Sequence, residues 1–135
     1  MSRERLFVDT FFVQALLNKR DAYHDEAVAF LPRVRDASEV WTTEAILTEV
    51  GNALSGINRM AAVAFIRQCY RTSNMRVVSV DTPLLNQALH LYQMRPDKTW
   101  GLTDCISFVV MQQQSLTDVV TADNHFSQAG FRILL

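Results

Sequence analysis

Three aspartates stand at places in the sequence where their carboxylates can meet. Asp9 and Asp123 each follow a short apolar run, and Asp104 opens a strongly apolar helical segment. The apolar residues before Asp9 and Asp123 are expected to be buried, so neither acid stands on an open, solvated surface. Carboxylates that share one crevice raise each other's pKa unless a cation lies among them. The three aspartates therefore predict a metal site.

The residue types around these acids indicate which metal would bind. His24, His90 and His125 lack the spacing of metal ligands and are expected at the surface or in packing. Carboxylate oxygens without histidine or cysteine partners favour Mg²⁺ or Mn²⁺ over zinc. The alternative role for each aspartate is a helix cap that offsets the helix dipole.

A fourth acid comes from the helix predicted at 43–54. Glu44 lies in its first turn, nearest the end of the preceding strand, and Glu49 lies more than one turn further on. Glu49 shares a helix face with Asn52, three residues later. A glutamate side chain is long enough to reach the crevice from either position, so the residues alone leave the two open.

Apolar runs and helical patterns alternate along the whole chain. Strands are predicted at 6–8, 40–42, 77–80, 119–121 and 131–133. Helices are predicted at 10–17, 21–35, 43–54, 61–70, after a cap at Asp81 or Thr82, and from a cap at Thr103 through 111. This alternation predicts a three-layer α/β/α sandwich with a mostly parallel central sheet. Ligands of such sheets bind beyond the carboxyl ends of the strands, where the three aspartates fall.

Composition limits the class of protein. The 135 residues are 49% hydrophobic and 20% charged, which predicts one globular domain over 1–135. Apolar runs are too short to cross a membrane, and two cysteines are too few for a disulfide framework, so a cytoplasmic location is expected. The net charge of −1 means that any nucleic acid must be held by local basic groups, with modest affinity, or by an oligomer.

Several segments resemble the PIN-domain ribonucleases, particularly the VapC-type toxins of bacterial toxin–antitoxin pairs. They occur in the family's order and span nearly the whole chain. The matching segments are Phe7-Val8-Asp9-Thr10, Leu47-Thr48-Glu49-Val50 with Asn52 and Leu54, Leu102-Thr103-Asp104-Cys105-Ile106-Ser107-Phe108, Thr121-Ala122-Asp123-Asn124-His125-Phe126, and Ala129-Gly130-Phe131.

The resemblance implies a metal-dependent endoribonuclease that hydrolyses RNA phosphodiester bonds with Mg²⁺ or Mn²⁺. It selects Glu49 as the fourth acid beside Asp9, Asp104 and Asp123, and it makes Asp9 and Asp104 the most direct metal ligands. It also implies hydroxyl groups that orient carboxylates or water, on Thr10, Ser107 and Thr121. The partners that it implies are an RNA substrate and a cognate antitoxin protein.

A homodimer is also expected. Core packing is the default role of six apolar residues on the predicted helices, and a dimer or antitoxin surface is the alternative. These residues are Leu16, Leu17, Ala53, Leu54, Phe65 and Ile66.

Two other classes of protein place acids at strand ends. A phosphoryl-accepting receiver or a dehalogenase-type phosphatase is one, but the phosphatase needs an aspartate where Phe11 stands, two residues after Asp9. The receiver needs an acid pair after the first strand and a lysine after the last, and neither is evident. The other is a catalytically silent binding protein on the same fold.

Overall fold

Strands and helices alternate throughout residues 2–135, the part of the chain that the computed structural model describes. The strands are β1 Arg5–Val8, β2 Glu39–Thr43, β3 Met75–Val78, β4 Asp118–Val120 and β5 Arg132–Ile133. The helices are α1 Thr10–Leu17, α2 His24–Asp36, α3 Glu44–Leu54, α4 Arg59–Arg71, α5 Thr82–Met94, α6 Leu102–Gln113 and α7 Asn124–Gln128.

All five of these strands pair in parallel, in the order β3-β2-β1-β4-β5. Successive connections step from β1 outwards to β3, and the chain then returns to place β4 on the other side of β1. The strand order therefore reverses between β1 and β4, whose last residues Val8 and Val120 are paired. This reversal opens a crevice at the carboxyl edge of the sheet, the usual ligand site of such folds.

Helices cover the two faces of the sheet. Right-handed crossovers place α1 to α4 on one face and α5 to α7 on the other. In agreement with this, α1 packs on α2 and α3, and α5 packs on α6. Leu6, Phe7 and Val119 are completely buried between the two layers, as their apolar runs predict. The predicted three-layer α/β/α sandwich is confirmed.

An aromatic cluster joins the two helices that follow the crevice. The Phe108 ring of α6 meets the rings of Trp100 and Phe126 edge-on, each at a centroid distance of 5.0 Å. The Phe131 ring lies 5.7 Å from Phe108 on a third side. Because Phe126 belongs to α7, these contacts fix α7 against α6.

Three local predictions were wrong. β3 lies two residues earlier than the apolar run 77–80 suggests, because its pairing with β2 sets its position from Met75 onwards. The N-cap of α6 is Gly101 rather than Thr103, so α6 begins at Leu102, two residues earlier than the sequence predicts. Helix α7 was missed because five residues are too few to show a helical period.

The predictions for the α5 cap and for the two cysteines agree with the structure. Asp81 caps α5 by accepting a hydrogen bond from the Leu84 amide. Cys69 and Cys105 are buried and unlinked. Within residues 2–135 we find no helix of the length and apolarity needed to span a bilayer.

The six apolar residues that were expected in the core, or alternatively at a dimer or antitoxin surface, differ in burial. Leu54 is in the core, and Ala53 and Ile66 are half-buried. Leu16, Leu17 and Phe65 pack against the core from the rim of an apolar groove of about 500 Å³.

Candidate active site

Asp9 lies directly after β1, at the base of the crevice between β1 and β4. Its backbone is extended and leads into α1, but its side chain makes no capping bond to that helix. The carboxylate is instead aimed into the interior, and the residue is only 5% exposed. Its partner is the buried Thr121 hydroxyl, which donates to Asp9 Oδ2 over 3.0 Å. Of the cap role considered for Asp9, what remains is a hydrogen bond with the Thr10 backbone, which lowers the pKa of the Asp9 carboxyl group.

Asp123 follows β4 on the other side of the same crevice. The Thr121 hydroxyl that holds Asp9 also accepts a hydrogen bond from the Asp123 amide, over 3.0 Å. One threonine thus links the residues that follow the two central strands. Asp123 also caps α7, since its Oδ1 accepts a bond from the His125 amide over 2.9 Å. The cap and the site roles coexist here, and 30% of the side chain is exposed to solvent.

Asp104 enters the crevice from the first turn of α6. Its Oδ2 accepts a bond from the Gly101 amide over 3.1 Å, which caps the helix from within. The same oxygen lies 3.0 Å from Nδ1 of His125. The Asp104 side chain is 18% exposed, so the edge of the crevice is open to solvent.

His125 is the residue that sequence reasoning missed. It was expected to be a surface or packing histidine, yet its ring lies between Asp104 and Asp123, at 3.0 and 3.5 Å from their carboxylates. One ligand atom of each of these three residues lies within 4.8 Å of the others. Its position two residues after Asp123, at the start of a helix, was the available signal.

The two glutamates of α3 make different contacts. Glu49 Oε1 accepts a hydrogen bond from the hydroxyl of Thr10, the residue after Asp9, over 2.7 Å. Glu44 Oε2 accepts a bond from the Tyr70 hydroxyl of α4, over 2.8 Å. Both line a shallow groove at this edge of the sheet. Glu49 is therefore tied to the segment that carries Asp9, whereas Glu44 is tied to α4.

The three hydroxyl residues expected to orient carboxylates differ in what they contact. Thr10 and Thr121 donate to Glu49 and Asp9, as described above. The buried Ser107 hydroxyl donates to the Thr103 carbonyl of its own helix, over 3.1 Å. Within residues 2–135, Ser107 makes no hydrogen bond to any of the four acids, so the structure does not place it in the predicted role.

Burial and mutual repulsion set the electrostatics of the crevice. Burial is the main cause that raises the pKa of Asp9 to about 7, and the charges of Asp104 and Asp123 raise it further. The hydrogen bond from Thr121 acts in the opposite direction. Burial is also the main cause of the raised pKa of Asp104, with the charge of Asp123 contributing.

These residues fit a divalent cation. The crevice brings several carboxylate oxygens together and leaves Asp9 with a pKa that a neighbouring positive charge would lower. Oxygen-rich donor sets of this kind are those that hard divalent ions prefer.

A family model for the PIN domain matches residues 6–132, from the middle of β1 to the start of β5. The chain belongs to the PIN-domain family. The match includes all four acids, both threonines and His125, so the whole crevice lies inside the region that defines this PIN domain.

Curated and solved relatives narrow the comparison. The 23S rRNA-specific endonuclease VapC20 of Mycobacterium tuberculosis is 32% identical over 132 residues, covering 93% of this chain and 95% of the relative. The crystal structure of VapC20, described as a sarcin–ricin loop cleaving toxin, superposes with a TM-score of 0.85. That alignment is 29% identical and covers 94% and 96% of the two chains.

A more distant structure shares the fold alone. FitAcB of Neisseria gonorrhoeae is 16% identical, with a TM-score of 0.66 and 96% of each chain covered.

Together with the VapC20 match, the family confirms the prediction of a metal-dependent endoribonuclease of the toxin–antitoxin type. The receiver and phosphatase alternatives receive no support.

The raised pKa of Asp9 gives a testable dependence of stability on pH. Between about pH 4 and 7 the metal-free folded protein keeps the Asp9 proton that the unfolded chain releases. The free energy of unfolding should therefore fall as pH rises through this range, by up to about 4 kcal/mol from Asp9, and level off above it. Urea unfolding of chelator-treated protein at several pH values measures this slope.

Asp9→Asn removes the titrating group and should flatten the slope. Asp25→Asn is the matched control, because Asp25 is an exposed acid in the first turn of α2. If Asp9→Asn and Asp25→Asn kept the same slope as the unchanged protein, the burial and crowding of Asp9 would be contradicted.

Proposed function

We propose that this PIN domain cleaves the sarcin–ricin loop of 23S rRNA in the cytoplasm. The observation that carries the proposal is that Asp9, Asp104 and Asp123 come together at the β1/β4 crevice, on a chain that matches VapC20 over nearly its full length.

In this proposal Asp9, Glu49, Asp104 and Asp123 hold Mg²⁺ or Mn²⁺. A bound ion would supply Lewis-acid chemistry, which polarises a phosphate oxygen and lowers the pKa of a water nucleophile. Oxygen donors suit both ions, and a nitrogen donor from His125 would favour Mn²⁺ over Mg²⁺.

The protein's own residues supply orientation and proton transfer. Thr121 holds the Asp9 carboxylate and the Asp123 amide in one arrangement, and Thr10 holds Glu49. A carboxylate fixed in this way is suited to take the proton of the attacking water, and Glu49 or Asp123 is proposed for that step. Asp104 is fixed by the Gly101 amide and the His125 ring. No nucleophilic side chain is needed.

A cognate antitoxin is the proposed protein partner. The apolar groove formed by α1, α2, α4 and the start of β3 is lined by Leu16, Leu31, Phe65 and Met75, with Arg35 at its edge. An apolar segment of the antitoxin that carries an acidic residue would match this lining and its cation. FitAcB and the VapBC2 of Rickettsia felis, the latter 11% identical with a TM-score of 0.68, share the fold.

We also propose that two copies of the chain form a homodimer. Leu85 and Leu89, one turn apart on α5, are 39% and 49% exposed, and Ile57 and Met60 form a second exposed apolar pair after α3. Either pair offers apolar surface that a second copy would cover.

The pair of glutamates in α3 provides a matched test of the catalytic assignment. Glu49→Gln should lower the rate of cleavage of a synthetic sarcin–ricin hairpin by about 10²-fold or more, because it removes a proposed ligand and proton acceptor. Glu44→Gln should leave the rate within a few fold, since Glu44 is engaged with Tyr70. The measurement is gel-resolved cleavage with Mn²⁺ and with Mg²⁺.

The opposite ranking of the two variants would move the site to Glu44. Failure of the unchanged protein to cut the hairpin with either ion would contradict the proposed substrate. A silent binding protein would leave all RNA intact.

Asp104→Asn separates metal binding from folding. In the unchanged protein, Mn²⁺ at about 100 times its Kd should raise the melting midpoint by roughly 5–10 °C. The variant should melt as high as or higher than the unchanged protein without metal, because it relieves repulsion in the crevice. It should gain less from Mn²⁺ and should not cleave RNA.

Thermal melts with and without Mn²⁺, followed by circular dichroism, make the comparison. A midpoint of the unchanged protein that ignores millimolar metal would contradict the shared metal site. Cleavage at the normal rate by Asp104→Asn would contradict the role of Asp104.

A further inference from the structure

A second concave site opens beside the acidic crevice. It lies between the end of α5, the loop that follows it and the first turn of α6, and it encloses about 470 Å³. Pockets that bind small ligands have volumes in this range. Its lining includes Tyr92, Lys98, Thr99, Trp100 and Cys105.

Hydrogen bonds connect the wall of this pocket to the catalytic acids. The Thr99 hydroxyl lies 3.2 Å from Nε2 of His125, and Nδ1 of the same ring lies 3.0 Å from Asp104 Oδ2. Cys105, which also lines the pocket, is the residue after Asp104. A nucleic-acid strand with one phosphate at Asp104 would therefore bring an adjacent nucleotide to the pocket.

One side of the pocket is built from residues that are already fully engaged. Trp100 is buried, its Nε1 donates to Gln128 Oε1 over 3.0 Å, and its ring packs against Phe108. The Arg95 guanidinium lies over the Trp100 ring at 5.0 Å and pairs with Asp97 over 3.0 Å. This side is therefore a prearranged surface, and Arg95 is not a free cation.

Lys98 differs from Arg95 in making no salt bridge among the described residues 2–135. It is half-buried, and the acid that its charge influences, Asp97, is already paired with Arg95. A partly desolvated cation that makes no close ion pair attracts an anionic group. Tyr92, which is 50% exposed, is an aromatic residue that lines the same pocket.

We infer that this pocket binds the nucleotide adjacent to the scissile phosphodiester, with Lys98 on its phosphate and Tyr92 stacked on its base. A cation beside an exposed aromatic ring is the combination that holds single nucleotides of unpaired RNA. A local cation of this kind is one of the basic groups that a chain of net charge −1 needs to hold RNA. The inference rests on the proposed function, since it requires an RNA substrate.

The chain contains two lysines, which makes a matched pair of variants possible. Lys98→Met removes the proposed phosphate contact, and Lys19→Met removes the same charge from the exposed loop after α1. Binding is measured by fluorescence anisotropy in chelator, where no cleavage occurs. The probes are a labelled sarcin–ricin hairpin and a labelled oligouridylate.

Lys98→Met should raise Kd at least about fivefold at low salt. It should also make the negative slope of log K against log salt shallower by about 0.7. Lys19→Met should leave both unchanged. Tyr92→Ala should raise Kd roughly 5- to 100-fold, and Tyr92→Phe, which keeps the ring, should restore binding. The salt slope separates loss of a phosphate contact from a change in folding, and melting curves confirm that each variant is folded.

Equal Kd values and salt slopes for Lys98→Met and Lys19→Met would overturn the pocket, even if the unchanged protein cuts the hairpin. Absence of binding to both RNAs would overturn it as well. If the unchanged protein does not cut the hairpin but loses binding to oligouridylate on Lys98→Met, the pocket stands and the proposed target falls.

Discussion

Burial of a carboxylate among neighbouring acids is the constraint on which this structure depends. Asp9 is held at the end of a buried strand, and Asp104 and Asp123 approach it from α6 and from the end of β4. Burial and the neighbouring charges together raise the pKa of Asp9 to about 7. The metal-free crevice therefore favours a protonated Asp9, and a divalent cation supplies the charge that allows all the acids to ionise.

The fold maintains this arrangement through a few contacts. The reversal of strand order puts the ends of β1 and β4 side by side, and the Thr121 hydroxyl bonds to residues after both. On the opposite layer, the packing of Phe108 against Phe126 fixes α7 on α6, and with it the approach of His125 to Asp104.

Sequence patterns predicted the parts of the site that depend on strand ends. Asp9 and Asp123 follow apolar runs, and parallel strands bring such positions to one edge whatever the details of packing. The choice between Glu44 and Glu49 was beyond the pattern, because it depends on Tyr70 of α4 reaching Glu44 and on Thr10 reaching Glu49. The family resemblance, rather than geometry, selected Glu49.

His125 and Ser107 show the limits of the method in opposite directions. His125 was set aside because the histidines lack the sequence spacing of metal ligands. That spacing is a poor guide here, because Asp104, which contacts His125, lies on a different helix. Ser107 was assigned its role by resemblance alone, and that role stays a prediction; the contact in the structure is the common bond of a helical serine to the carbonyl four residues back.

The central claim is that metal binding releases the proton from the carboxyl group of Asp9, which is buried and surrounded by other acids. Titration calorimetry of Mn²⁺ binding, in buffers of different ionisation enthalpy, measures the protons released per ion. The account predicts release of about one proton at pH 6 and almost none at pH 8.5, because the pKa of Asp9 lies near 7. Mn²⁺ binding with the same proton release at both pH values, or no binding at all, would contradict it.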